Sequence, residues 1–306
     1  MRQRVSFAVA AVVLAAAGAA YVSGRSSGPP ASAASVTTTT VPSVTGFYLD
    51  MGASASLGYQ PTGITNHNGR RTDTGYANDL LFLERLRGVA LTLDQVGCPG
   101  DVVQTVLNTK VSDACYAEPE TQLTKAVQFL QANQSATGVV TVDFGFNSVR
   151  LCLTPHVPNE ACVATGIAAV KVDLPKILTQ VKAAAGPHVH IVGLELGDPF
   201  LADYLDGPEG PSEANETLVA MNELNATLVA AYDAAGVAVA NVPALWQLDN
   251  STIVDVPNVG EVPENVKETC QLTWMCYGTP FGPDDHPNDA GYSLIAQAIF
   301  AALPKL

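Results

Sequence analysis

The sequence predicts an α/β domain: a three-layer α/β/α sandwich around a central, mostly parallel sheet of five strands. Two observations carry this. Five short apolar runs recur between Phe47 and Val242, each bounded by turn residues. Between them lie longer segments whose apolar residues return at helical spacing. Runs of the first kind read as strands buried on both faces, which requires helices on each side of the sheet. The 306 residues suffice for one large domain of this class.

The elements follow in order. Met1-Arg2-Gln3-Arg4 is a basic tip before an apolar run from Val5 to about Val22. Ala31-Ser32-Ala33 fits the small-x-small cleavage pattern, so residues 1–33 are expected to be an export signal. The run is also long enough for an uncleaved membrane anchor. Residues 34–45, with Val36-Thr37-Thr38-Thr39-Thr40, read as a Ser/Thr/Pro-rich linker that buries no core. The folded domain is expected over 46–306.

Phe47 to Met51 is the first strand, ending in Gly52-Ala53-Ser54-Ala55-Ser56-Leu57-Gly58. A polar loop with His67 follows, then a helix over 76–86 with Leu80, Leu81, Leu83 and Leu86 on its apolar face. Val89 to Val96 is the second strand, closed by Gly97-Cys98-Pro99-Gly100-Asp101. A helix over about 120–131 precedes the third strand, Val139 to Phe144, which ends at Gly145-Phe146-Asn147-Ser148. A helix over 174–184 leads to the fourth strand, which His188 and His190 flank or line. Glu195 and Asp198 beyond it are expected at the solvated surface, with the cleft as the alternative. A long helix over 213–235, the strand Val237 to Val242, and an amphipathic helix with Tyr292, Ile295 and Ile299 complete the chain.

Composition excludes some functions. Removal of residues 1–33 takes away Arg2, Arg4 and Arg25 but no acid, moving the net charge from −14 to −17. So acidic a chain is unsuited to nucleic acid or an anionic membrane surface, both of which need positive charge. No stable membrane insertion is expected after cleavage, and a monomer is expected. The six cysteines, Cys98, Cys115, Cys152, Cys162, Cys270 and Cys276, all lie in the folded part. Behind an export signal they read as the disulfides 98–115, 152–162 and 270–276. No Cys-x-x-Cys supports a metal site. His156 decorates one disulfide loop, and Trp246 and Trp274 are read as core residues, with an acyl-binding wall as the alternative. Asn133, Asn215, Asn225 and Asn250 head glycosylation sequons.

In a parallel sheet, ligands gather at the carboxyl ends of the strands. Four blocks converge there: Gly52-Ala53-Ser54 with Gly58, Gly97-Cys98-Pro99-Gly100-Asp101, Gly145-Phe146-Asn147, and His286-Pro287-Asn288-Asp289-Ala290-Gly291-Tyr292. Together they resemble the four blocks of the SGNH (GDSL) hydrolases, in the family's order and over nearly the whole folded region. The resemblance implies a flavodoxin-like sheet, ester hydrolysis through an acyl-enzyme, and no metal or cofactor. It implies Ser54 as nucleophile, His286 as its base, and Ser54, Gly100 and Asn147 as oxyanion donors. Ser56 is the second small hydroxyl, read as a turn or cap residue.

The chain departs from the family at three positions. Ala53 and Ser148 replace block aspartates, and Pro283 stands where the acid of the triad is expected, three residues before the histidine. Asp284 is therefore read as the orienting acid, with a Ser–His dyad as the alternative. The substrate class implied is a lipid, a short-chain acyl ester or an O-acetylated carbohydrate. The rival readings are acyl transfer to an alcohol and an inactive binding domain on the same scaffold.

Overall fold

The computed structural model describes residues 44–62, 69–108, 115–153 and 158–306. The expected signal, most of the linker, His67 and His156 lie outside the described residues. The first strand, β1 (Val44–Gly52), takes in Val44 and Thr45 from the expected linker. After it come α1 (Tyr76–Leu86), β2 (Val89–Gln95), α2 (Val103–Leu107), α3 (Gln122–Ala132), β3 (Thr137–Asp143), α4 (Phe146–Arg150) and α5 (Glu160–Ala184). The second half holds β4 (Val189–Leu194), α6 (Gly210–Ala235), β5 (Ala238–Ala240), α7 (Val242–Trp246), β6 (Ile253–Val256), β7 (Gly260–Pro263), α8 (Glu264–Leu272) and α9 (Asp289–Ala302).

The five-stranded sheet runs β2-β1-β3-β4-β5 and every pairing is parallel, so the expected mostly parallel sheet is entirely so. The chain leaves β1 for β2 on one side and returns to β3 on the other. The crevice between β1 and β3 is thus the topological switch point of the sheet, where open α/β folds bind ligands.

Strand alternation builds the layers. Phe47, Leu49 and Met51 of β1 pack with Leu123 of α3, Ile177 of α5 and Leu228 of α6. Tyr48, one residue out of phase, joins Tyr76 and Leu80 of α1 and Tyr292 and Ile299 of α9 on the opposite face. Burial of each such large apolar side chain stabilises the fold by about 1.5–3 kcal/mol relative to exposure. Because both faces are covered, β1 is apolar at almost every position, with the exceptions of Thr45 at its exposed start and of Asp50.

The helix expected over 174–184 is only the end of α5, which begins at Glu160 and carries Pro175 inside it. Its first half buries Val163, Gly166, Ile167 and Val170 at helical spacing, a stripe that the alanines and Val172 around it blur in the sequence. Gly166 lets α5 approach α4 so closely that a Cβ there would come within 2.1 Å of the Ser148 carbonyl oxygen. The β6–β7 hairpin is antiparallel and separate from the main sheet. The three disulfides pair 98–115, 152–162 and 270–276, as expected. No helix among the described residues is long and apolar enough to cross a membrane.

Candidate active site

Ser54 lies just beyond the end of β1, before a single 3-10 turn (Ala55–Leu57) that Gly58 closes with φ 64°. Gly52 pairs with Asp143 across β1 and β3. A Cβ on Gly52 would come within 2.9 Å of the Asp143 carbonyl oxygen, so the two strand ends meet more closely than any side chain permits. Ser56 turns its hydroxyl back to the Ala53 carbonyl at 2.8 Å and is buried, which leaves Ser54 as the open hydroxyl of the turn.

Gln122, at the start of α3, holds this strand end. Its Oε1 accepts from the Gly52 N–H at 2.8 Å, and its Nε2 donates to the Gly52 carbonyl at 2.9 Å. The same Nε2 donates to Asp101 Oδ2 at 2.7 Å, tying β1 to the loop that carries Gly100. Gly100 itself has φ 84°, a left-handed conformation that favours glycine.

His286 is brought over the strand ends by the loop between α8 and α9. Asn288 caps α9 by accepting from the Ala290 and Gly291 N–H groups, and its Nδ2 donates to the Gln271 and Thr273 carbonyls. The Trp274 N–H donates to the His286 carbonyl at 3.2 Å. The loop is thus anchored at both ends, and the 270–276 disulfide closes its first part.

These anchors produce a continuous chain of hydrogen bonds. His286 Nε2 lies 2.8 Å from Ser54 Oγ, and His286 Nδ1 lies 2.7 Å from Asp284 Oδ1. Asp284 Oδ1 also accepts the backbone N–H of His286 at 3.0 Å, which fixes the carboxylate two residues before the ring it holds. Burial opposes the charge on Asp284. The His286 hydrogen bond and charge, the His286 N–H and the Arg150 guanidinium outweigh burial and hold the carboxyl below its usual range. An ionised Asp284 accepts the Nδ1 proton, leaving the Nε2 lone pair to accept the Ser54 hydroxyl. Asp285, 3.7 Å from Nδ1, is paired with Arg150 instead.

Gly100 and Asn147 border the same cavity as Ser54 and His286, a space of about 400 Å³. Asn147 Nδ2 donates to the Asp101 carbonyl at 3.2 Å, which orients its amide. Asp284, Asp285 and His286 have ligand-type atoms within 4.8 Å of one another, the one such cluster among the described residues. Their atoms are already engaged with Ser54, with Arg150 and with each other.

Other expected positions divide. Glu195 lines the cavity, as does Trp246, while Trp274 stacks with Phe281 and donates to Gln60 outside it. Asp198 is fully buried rather than solvated: its carboxylate accepts the Phe200 N–H and the Thr217 hydroxyl, so it builds the turn after β4. Asn225 is buried too, its amide bonded to both backbone groups of Leu196, which removes it as a glycosylation site. Gln122 and Arg150 had no signal in the sequence, since a lone glutamine or arginine on a helix carries no spacing to read.

No protein-family model matches the chain, and no curated protein matches it in sequence. Solved structures do match in fold. Phospholipase A1 from Streptomyces albidoflavus NA297 superposes with a TM-score of 0.51 at 19% identity, over 84% of this chain and 99% of that one. An extracellular lipase from Streptomyces rimosus gives 0.52 at 17%, over 85% and 100%. The fold of this chain is therefore that of these enzymes, as the four-block resemblance implied.

Proposed function

We propose that the chain is an exported serine esterase of the SGNH type, hydrolysing carboxylic esters through an acyl-enzyme. The observation that carries this reading is the unbroken hydrogen-bonded chain from Asp284 through His286 to Ser54, at the switch point of a sheet shared with two lipolytic enzymes. Pro283, which with the missing block aspartates made an inactive domain a rival, does not interrupt that chain.

Ser54 Oγ attacks the ester carbonyl carbon while its proton passes to His286 Nε2. The carbonyl π pair moves to oxygen, and the oxyanion is held by the Ser54 and Gly100 N–H groups and by the Asn147 amide. One such donor is worth roughly 3–4 kcal/mol in the transition state. Collapse of the intermediate breaks the bond to the alcohol, which leaves with the proton from His286. Water then attacks the acyl-enzyme by the same route and releases the acid. Asp284 holds the ring and balances its transient charge. The three disulfides support an oxidising, extracytoplasmic destination.

The test is hydrolysis of p-nitrophenyl esters by residues 34–306, alongside Ser54→Ala and His286→Ala. Loss of either side chain is expected to lower kcat on the order of 10⁴–10⁶-fold, and a fluorophosphonate is expected to label Ser54. A wild type without esterase activity and without labelling refutes the reading.

A further inference from the structure

The cavity beside Ser54 has an inner part that the acyl-transfer steps do not use. Phe144, Leu194, Val242, Trp246 and Ile295 line it, and each is 7% exposed or less. They come from the ends of β3 and β4 and from α7 and α9. We infer that this inner part is an acyl-chain pocket, that Trp246 limits the chain it accepts, and that the preferred substrates are esters of medium-chain fatty acids rather than acetyl esters. The inference rests on the esterase reading and narrows it.

Trp246 is built as a fixed wall. Its indole N–H donates to Thr269 Oγ1 at 3.1 Å, and Thr269 in turn donates to the Asp198 carbonyl. Gly197 lies against the ring so closely that a Cβ there would stand 2.5 Å from an indole carbon. The neighbouring Leu196 backbone is clamped by the Asn225 amide. The ring is thus held at its N–H and pressed on its benzene edge. Five carboxylates also border the cavity, of which Asp101, Asp284 and Asp285 belong to the catalytic end already described. Asp143 pairs in register with Gly52 and so sits at the Ser54 end. Glu195 is shared with a second, outer groove lined by Asn222, Asn241 and Asp249, which places it at the rim. The wall formed by Phe144, Leu194, Val242, Trp246 and Ile295 is apolar, and each methylene it buries is worth roughly fourfold in binding.

The experiment is the ratio of kcat/KM for p-nitrophenyl decanoate to that for the acetate, in the wild type, Trp246→Ala and Ile295→Phe. The ratio is read within one preparation, so a partly unfolded variant lowers both rates alike. The wild type is expected to prefer chains longer than acetyl. Trp246→Ala is expected to raise the ratio about tenfold or more, and Ile295→Phe, which fills the space, to lower it similarly. If Trp246→Ala does not fold, Ile295→Phe decides. Ester hydrolysis with ratios unmoved in the folded variants, or a wild type fastest on acetate, overturns the pocket and leaves the esterase reading standing. No hydrolysis at any length and no labelling of Ser54 removes the esterase reading, and this inference with it.

Discussion

Asp284 and Asp285 stand side by side, yet the fold gives them different work. Asp284 meets His286 Nδ1 at 2.7 Å, whereas Asp285 is turned to Arg150. An amide at 284 keeps the size but loses the charge, and it can present N–H to the ring and favour the wrong tautomer. Asp284→Asn is therefore expected to reduce kcat on short p-nitrophenyl esters by about 10³–10⁴-fold, and Asp285→Asn by no more than about tenfold. Equal losses in the two variants contradict the assignment. The acid at 284 was read from the sequence only with a Ser–His dyad as its alternative, because spacing along a loop does not say whether a carboxylate reaches the ring. Ser54, Gly100, Asn147 and His286 were legible because each stands in a block with its own turn residues.

At the scale of elements, the site depends on the contact between α3 and β1. Gln122 satisfies both backbone groups of Gly52 and one oxygen of Asp101, and it is fully buried. Gln122→Met fills the same volume without hydrogen bonds. Each polar group left buried and unsatisfied costs about 1–3 kcal/mol, so a loss of that size or more is expected in denaturant unfolding at constant m. A change under about 0.5 kcal/mol contradicts the clamp. The long periodic helices and the five strands were readable from apolar spacing. The five-residue helices α2, α4 and α7 and the β6–β7 hairpin were not, because elements so short show no period and are held by their neighbours.

Across the whole molecule, three buried acids set a pH dependence. Burial pushes Asp50 up to about 7 despite hydrogen bonds from Thr141, Gln95 and Tyr76. Burial also raises Asp143 to about 6 against the Tyr76 hydroxyl, and Asp198 to about 7 against Thr217 and the Phe200 N–H. An unfolded chain ionises these groups near pH ~4. Between roughly pH 4 and 7 the folded state therefore binds more protons, and stability falls as pH rises through that window. Asp284, held low, acts oppositely: its contribution is present above the unfolded value and is lost as pH falls. Thermal unfolding followed from pH 5 to pH 8 is expected to give a Tm that declines with pH, and Asp50→Asn is expected to flatten that decline. A slope that Asp50→Asn leaves unchanged contradicts the account.

By itself, the sequence determined the layers and which turn residues stand at each strand end. Strand and helix periods are local properties of the chain, and four separate blocks each keep their own turn residues. Tertiary structure decided what depends on approach between distant segments. It set Asp284 against the His286 ring, drew Gln122 and Arg150 to the site, and buried Asp198 and Asn225. It also gathered buried apolar side chains from the ends of β3 and β4 and from α7 and α9 along the cavity beside Ser54. Hydrogen bonds and cavity walls act over a few ångströms, and only the folded chain brings residue 54 within that reach of residue 286.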